Sequence, residues 1–258
     1  MILAVDIGNT NIVMGGYEQD HLVFCTRLST DKNLEADQYA LQIKGILSLY
    51  HISLENIKDV VLSSVVPQIT QTMCKALSTL CNSVPLVLSQ QLKTGVKVDI
   101  ANPPELGDDL LAGAIAARAS YALPAVVLDL GTATKMTAVD AQGHVCGVSI
   151  MPGVVLSLNA LVSGASQLGG MALCPPAHAI GRTTVESMQS GIVLGTASML
   201  DGMLDRFEAE LGEIKTVLAT GGIAGMIVPH CRREVKLVPT LLLDGLYQVW
   251  RMNRSISN

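Results

Sequence analysis

Apolar positions along this chain switch between two periods. The run Ile2–Val5 is continuous and ends in Asp6-Ile7-Gly8-Asn9-Thr10, which reads as a buried strand entering a turn. Asn11–Tyr17 and His21–Leu28 read as second and third strands, with polar turns at Glu18–Asp20 and Ser29–Asp31, forming an antiparallel meander. The period then becomes helical. Over Glu35–Tyr50, the residues Tyr39, Ile43, Ile46, Leu47 and Tyr50 share one face. Asp59–Val66 is a strand stopped by Pro67, Gln68–Cys81 a helix, Pro85–Leu88 a short buried strand and Gly107–Tyr121 a helix rich in Ala and Leu.

The second half starts the same way. Ala125–Leu128 runs into Asp129-Leu130-Gly131-Thr132-Ala133-Thr134, and strands over Lys135–Val139 and Gly143–Ile150 follow. Helices are expected over Val154–Ser163 and Thr184–Leu211. A strand over Thr216–Ala219 ends in Thr220-Gly221-Gly222, and a last helix covers Thr240–Met252. Asp6 and Asp129 thus head equivalent turns half a chain apart. A repeat this long means duplicated domains and not a solenoid. The expected architecture is α/β, with two βββαβαβα domains over 1–122 and 123–258 facing each other across a cleft.

Composition sharpens this picture. Of 258 residues, 49 % are hydrophobic and 15 % charged, against about a quarter charged in an ordinary soluble domain. Mean hydropathy is +0.43. A chain this apolar is not disordered. With 17 Lys+Arg against 22 Asp+Glu and no basic run, a nucleic-acid partner is not expected. Ala141–Gly181 carries no charged residue, but Pro152-Gly153, Ser157, Asn159, Ser163-Gly164, Gln167, Gly169-Gly170 and Pro175-Pro176 interrupt it. No membrane span is expected there, since one needs about 20 predominantly apolar residues. Its likeness to a core, together with the helix after Thr184, predicts a homodimer seam. The first residues lack a basic region, and the six cysteines form no metal or redox motif, so a cytoplasmic protein with reduced thiols is expected. The five histidines show no ligand spacing. Met188, Met199 and Met203 suit helix packing.

The turns carry the candidate chemistry. Gly8 lets the backbone turn sharply, and Asn9, Thr10 and Asn11 add polar groups suited to phosphate oxygens. Asp6, at a strand end, is placed to hold Mg²⁺ directly or through water. Alone, this is equally an Asx-turn hairpin. Its repetition at Asp129–Thr134 favours a nucleotide site. Neither a lysine-containing P-loop nor a dinucleotide fingerprint is present. Asn102–Asp109 sets Asp108 and Asp109 at a loop-to-helix junction, as plain caps or as a proton acceptor in phosphoryl transfer.

Together, Asp6-x-Gly-Asn-Thr, Asn102-Pro103-x-Glu-x-Gly107-x-Asp109, Asp129-x-Gly-Thr-Ala-Thr134, Pro152-Gly153, Gly181-x-x-Thr184, Gly191 and Thr220-Gly221-Gly222 resemble the type III pantothenate kinase family, in order and over nearly the whole chain. The resemblance implies a duplicated actin-like (ribonuclease H-like) fold. It implies ATP-dependent phosphorylation of pantothenate to 4′-phosphopantothenate, the first step of coenzyme A synthesis, by a homodimer needing Mg²⁺ and a monovalent cation, K⁺ or NH₄⁺. Carried over by motif, Asp6, Ile7, Gly8, Asn9, Thr10, Asn11, Ile12 and Val13 would form the first ATP phosphate loop, and Thr132 would also contact ATP. Asp129 would hold the monovalent cation. Gly107, Asp108, Asp109, Leu110 and Thr184 would meet pantothenate, with Asp109 the proton acceptor and Thr184 reaching across the dimer.

Three positions depart from the family pattern. Leu110 stands where an Arg is usual, Ile100 where a Tyr is common and Lys135 where a Thr is common. Losing the Arg removes a bidentate contact to an anion. Two alternatives follow from these departures: a non-catalytic nucleotide-binding paralogue, and a kinase for another small hydroxy-compound.

Overall fold

The computed structural model describes residues 1–164 and 171–254. It divides into two compact units. The first comprises Met1–Lys97, Ala101–Ala119 and Thr240–Asn258; the second comprises Val98–Ile100 and Ser120–Pro239.

In the first unit, β1 (Ile2–Ile7), β2 (Asn11–Glu18) and β3 (His21–Ser29) form the expected meander. β4 (Asp59–Ser64) and β5 (Leu86–Val87) add in parallel, giving the order β3-β2-β1-β4-β5. Every residue of β1 is buried, because helices cover both faces of its sheet. On one side, Leu3, Val5, Ile7, Ile12 and Met14 pack with Tyr39, Ile43 and Leu47 of α1 (Ala36–Leu49) and Ile69, Met73 and Leu77 of α2 (Pro67–Cys81). α1 opens on a capping box between Glu35 and Gln38. α2 starts with Pro67 in its first turn and stops at Asn82 in the left-handed region. α3 (Asp108–Ser120) is buried on nearly all sides from Asp109 to Ala117.

The second unit repeats the topology. β6 (Ala125–Leu130), β7 (Ala133–Val139), β8 (Val145–Pro152), β9 (Thr216–Thr220) and β10 (Lys236–Leu237) give the order β10-β9-β6-β7-β8. α4 (Val154–Gly164) follows β8. The single helix expected over Thr184–Leu211 is instead α5 (Thr184–Gln189), a π turn over Ser190–Leu194, and α6 (Gly195–Leu211). The widened turn has Gly191 inside it and Gly195 just after it, and the Ser190 hydroxyl donates to the Ala179 carbonyl at 2.6 Å. Val126, Leu128, Leu130 and Met136 pack with Val193, Ala197, Leu200 and Leu204, and with Ala224 and Ile227 of α7 (Ala224–Ile227).

The boundary expected at 122/123 lies close to the change of unit at Ala119/Ser120. The last helix differs: α8 (Leu241–Arg254) belongs to the first unit. Its aromatic residues explain why. Tyr247 stacks on Tyr17 of β2, with centroids 4.4 Å apart, and on Trp250. The Trp250 indole donates to Asp59 at 2.9 Å and the Tyr17 hydroxyl to Asp244 at 2.5 Å. Burial and Asp244 push the Tyr17 hydroxyl's pKa up, so it stays a donor. The contacts to Tyr17 and Asp59 join residues about two hundred positions apart in sequence, beyond any local pattern. No helix among the described residues is long and apolar enough to cross a membrane.

Candidate active site

In the first unit the polar groups gather where β1 and β4 end. The two strands run in parallel register, with Asp6 beside Ser63. The Ser63 hydroxyl donates to the Asp6 carboxylate at 2.6 Å, and both are buried. The next residue, Ser64, binds the Asp108 carboxylate through its backbone N–H. Asp108 and Asp109 occupy the first turn of α3, where the helix dipole favours negative charge. Asp109 is 9 % exposed, and its Oδ1 accepts the Leu110 N–H at 2.8 Å. That carboxylate folds over Gly107, where a Cβ would sit 2.7 Å from Oδ1. Burial, and then the charge of Asp109, push the Asp108 carboxyl up to about 6, against the lowering effect of the Ser64 N–H. Two adjacent carboxylates, one with proton affinity near neutrality, are suited to managing a hydroxyl proton.

The first turn is held from outside. Gly8 N–H donates to the Asn11 carbonyl at 2.9 Å, and Thr30 clamps the turn through its N–H on Thr10 O at 3.0 Å and its hydroxyl on Gly8 O at 2.6 Å. Asn9 and Thr10 are exposed and Asn11 is half-buried. Ile7 and Ile12 are fully buried in the core, so only their main chains can serve a phosphate. Val13 stands opposite Asp6 across β1 and β2.

The second turn is held by backbone. The Gly131 N–H donates to the Ala133 carbonyl at 3.1 Å. A Cβ on Gly153 would collide with the Thr132 carbonyl oxygen, and one on Gly221 with that of Leu130. Gly221 also has φ +97°, which an L side chain rarely adopts. The Pro152-Gly153 and Thr220-Gly221-Gly222 motifs are thus explained as close walls of the Asp129 turn. Thr132 is exposed, whereas Thr134 is fully buried and its hydroxyl finds no partner among the described residues. Asp129 lies between Lys135 on β7 and Thr220 on β9 in the pairing register. The Lys135 ammonium contacts its carboxylate at 2.7 Å.

Thr184 is the exposed first residue of α5 in the second unit. Thr183 caps that helix by accepting the Glu186 N–H at 3.2 Å, and Gly181 packs against the Ser187 backbone. Gly107, Asp108, Asp109 and Leu110 belong to the first unit, and Leu110 is buried. Gln167 and Gly169-Gly170, expected to break the uncharged stretch, lie outside the described residues. Local sequence reasoning missed Ser63 and Ser64, which read only as strand residues. A pair of hydroxyls closing an otherwise apolar strand was the available signal.

The family model described as type III pantothenate kinase matches residues 2–206. The chain belongs to that family. Relatives named type III pantothenate kinase include those of Exiguobacterium sibiricum, 38 % identical, and Moorella thermoacetica, 36 % identical. Each alignment covers 98 % of this chain and all of the relative. Among solved structures, a Campylobacter jejuni protein of the Baf family matches with a TM-score of 0.61 at 16 % identity, covering 98 % of this chain and all of the other. The activator of 2-hydroxyisocaproyl-CoA dehydratase from Clostridium difficile, solved with bound ADPNP, matches with 0.60 at 10 % identity over 100 % of this chain and 98 % of that one. These likenesses establish the fold. It is the duplicated actin-like one expected for a type III pantothenate kinase.

The metal expectations for a kinase of this family can be tested on these residues. No cluster of three or more His, Cys, Asp or Glu able to hold a metal ion occurs among the described residues. A single braced carboxylate such as Asp6 still fits Mg²⁺, which is usually held by one or two carboxylates together with substrate phosphates and water. The donor set at Asp129 does not fit a free monovalent cation, because an ammonium of the chain is already bound to it.

Proposed function

We propose that Asp109 takes the hydroxyl proton when this kinase phosphorylates pantothenate with ATP, the reaction of its family and a step of coenzyme A biosynthesis. The observation carrying this role is the buried Asp109 carboxylate, oriented by the Leu110 N–H at the positive end of α3. The pantothenate oxygen forms a bond to the γ-phosphorus, the bond from that phosphorus to the ADP oxygen breaks, and the hydroxyl proton passes to Asp109. Such a transfer asks the protein mainly for positioning and charge stabilisation.

The turns Asp6–Val13 and Asp129–Thr134 cradle phosphate oxygens, the first by the main chain of Gly8–Asn11 and the second through Thr132. Asp6 would hold Mg²⁺, which would supply charge neutralisation on the phosphates. Gly107–Leu110 and Thr184 contact pantothenate. The exposed Val155, Leu156 and Leu161 of α4, with Ile180 and Val185, support a homodimer seam. Light scattering on a size-exclusion column should read a dimer, and Leu156→Glu with Leu161→Glu should give monomers.

The deciding experiment follows 4′-phosphopantothenate formation from pantothenate and Mg-ATP. Asp109→Asn should lower kcat by about 10²–10⁴-fold with a smaller change in KM. A variant with the parent kcat would remove Asp109 from the role. Running a panel of small hydroxy-compounds alongside shows whether Leu110 has changed the acceptor instead.

A further inference from the structure

The two copies of the hairpin answer the same electrostatic problem differently. Each places a carboxylate at the end of a central strand, buried to about a tenth of its exposed surface. In the first copy the cross-strand neighbours of Asp6 are Val13 and Ser63, and the Ser63 hydroxyl satisfies it. In the second copy the corresponding neighbours of Asp129 are Lys135 and Thr220. Here the Thr220 hydroxyl turns to the Pro239 carbonyl at 3.4 Å, and the carboxylate takes the Lys135 ammonium at 2.7 Å. The side chains of Lys135 and Asp129 are only 17 % and 12 % exposed. Both lie on strands, so their approach is set by the sheet register and not by a flexible loop.

We propose that Lys135 is a built-in monovalent cation: its ammonium occupies the charge position at Asp129 that a free K⁺ or NH₄⁺ would fill, making this kinase independent of added monovalent cation. The proposal rests on the reading of Asp129–Thr134 as a phosphate loop. Three physical points support it. A lysine terminus is an alkylammonium, with the charge of NH₄⁺ and three N–H donors. Its attachment makes occupancy intramolecular, so no ion has to be gathered from solution. A second cation entering at the same carboxylate meets like-charge repulsion in a poorly solvated place, while Lys135 offers it no oxygen ligand. The carboxylate also stays under the turn, since a Cβ on Gly131 would lie 3.5 Å from Asp129 Oδ1. The positive charge is thereby fixed beside the loop whether or not salt is present.

The test compares the full-length parent with Lys135→Ala in tetramethylammonium buffer, with and without KCl or NH₄Cl. The parent should change its kcat/KM by less than about twofold on adding either salt, whereas Lys135→Ala should lose about tenfold or more and regain it with K⁺ or NH₄⁺. A second readout does not depend on turnover. Crystals of both proteins are soaked in thallous acetate and the anomalous signal is measured. Thallium should appear at Asp129 only in Lys135→Ala. Thallium at Asp129 in the parent, or stimulation of the parent by K⁺ beyond about tenfold, overturns the proposal. If the parent phosphorylates no pantothenate in any salt, the reading of the reaction fails. The thallium comparison still decides what Asp129 binds, and a Lys135→Ala protein that does not fold leaves the parent's thallium and salt responses to decide alone.

Discussion

The hairpin around Asp6 and the hairpin around Asp129 share strand order, pairing and an Asp-x-Gly turn, yet they are built from different forces. The first is braced by hydroxyls: Ser63 on the carboxylate, and Thr30 on the turn's carbonyls. The second is braced by charge and by bare backbone, with Lys135 on the carboxylate and Gly153 and Gly221 against the turn. Duplication preserves topology because the sheet needs it. The chemistry at corresponding positions is free to diverge, because any group that satisfies a buried carboxylate keeps the strand end folded. A hydroxyl brings no counter-charge of its own to Asp6. Ammonium bracing cancels the charge on Asp129.

This contrast breaks most severely at the glycines. Gly221→Ala should cost about 3 kcal/mol or more, since it combines a positive φ with a collision at the Leu130 backbone. Gly8→Ala, whose Cβ would sit 3.0 Å from Asn11 O, should cost about 1 kcal/mol. Urea titration of both variants checks the ranking, and equal losses would erase the distinction between the turns.

Next come the carboxylates. Asp129→Asn leaves the Lys135 ammonium largely buried without its anion and should cost about 2–3 kcal/mol, with partial exposure keeping it below a fully buried pair. Asp6→Asn keeps an oxygen for the Ser63 hydroxyl and should cost about 1 kcal/mol. Adding Lys135→Met to Asp129→Asn should recover most of the loss. A double-mutant cycle gives the coupling directly.

A smaller effect is expected at Asp108. Its folded pKa, about 6, lies above the ordinary carboxylate value of 3.8. The folded state therefore binds the proton more tightly, and stability falls as pH rises from about 4 to about 6. Asp108→Asn should raise stability by about 1–2 kcal/mol at pH 7–8, after allowing for partial exposure, with the gain vanishing near pH 4. Thermal melts across that range test the sign. Smallest is the hydroxyl pair. Ser63→Ala should cost about 1 kcal/mol through Asp6, and Thr220→Ala less, as its bond to Pro239 O is long.

Much of this was legible along the chain. The strands, most helices and the repeat follow from the alternation between continuous apolar runs and a 3.6-residue period, which depends only on neighbours in sequence. The turns around Asp6 and Asp129, and Asp108-Asp109 at a helix start, were visible for the same reason. The π turn inside Thr184–Leu211 was not, because Gly191 and Gly195 alone do not say which way a helix will yield. Nor was the assignment of α8 to the first unit, which depends on Tyr247 stacking on Tyr17.

By itself, then, the sequence determined two α/β units with one acidic turn each, and an ordered motif set marking a pantothenate kinase of the third type. Only the tertiary structure decided what each acid touches. Ser63 reaches Asp6 because β1 and β4, separated in the chain by β2, β3 and α1, pair in parallel. Lys135, in sequence merely an unusual residue after a familiar motif, becomes the counter-charge of Asp129 because antiparallel register sets the two opposite each other. Local propensity fixes elements, whereas the environment of a buried charge is set by whichever strand the sheet brings beside it.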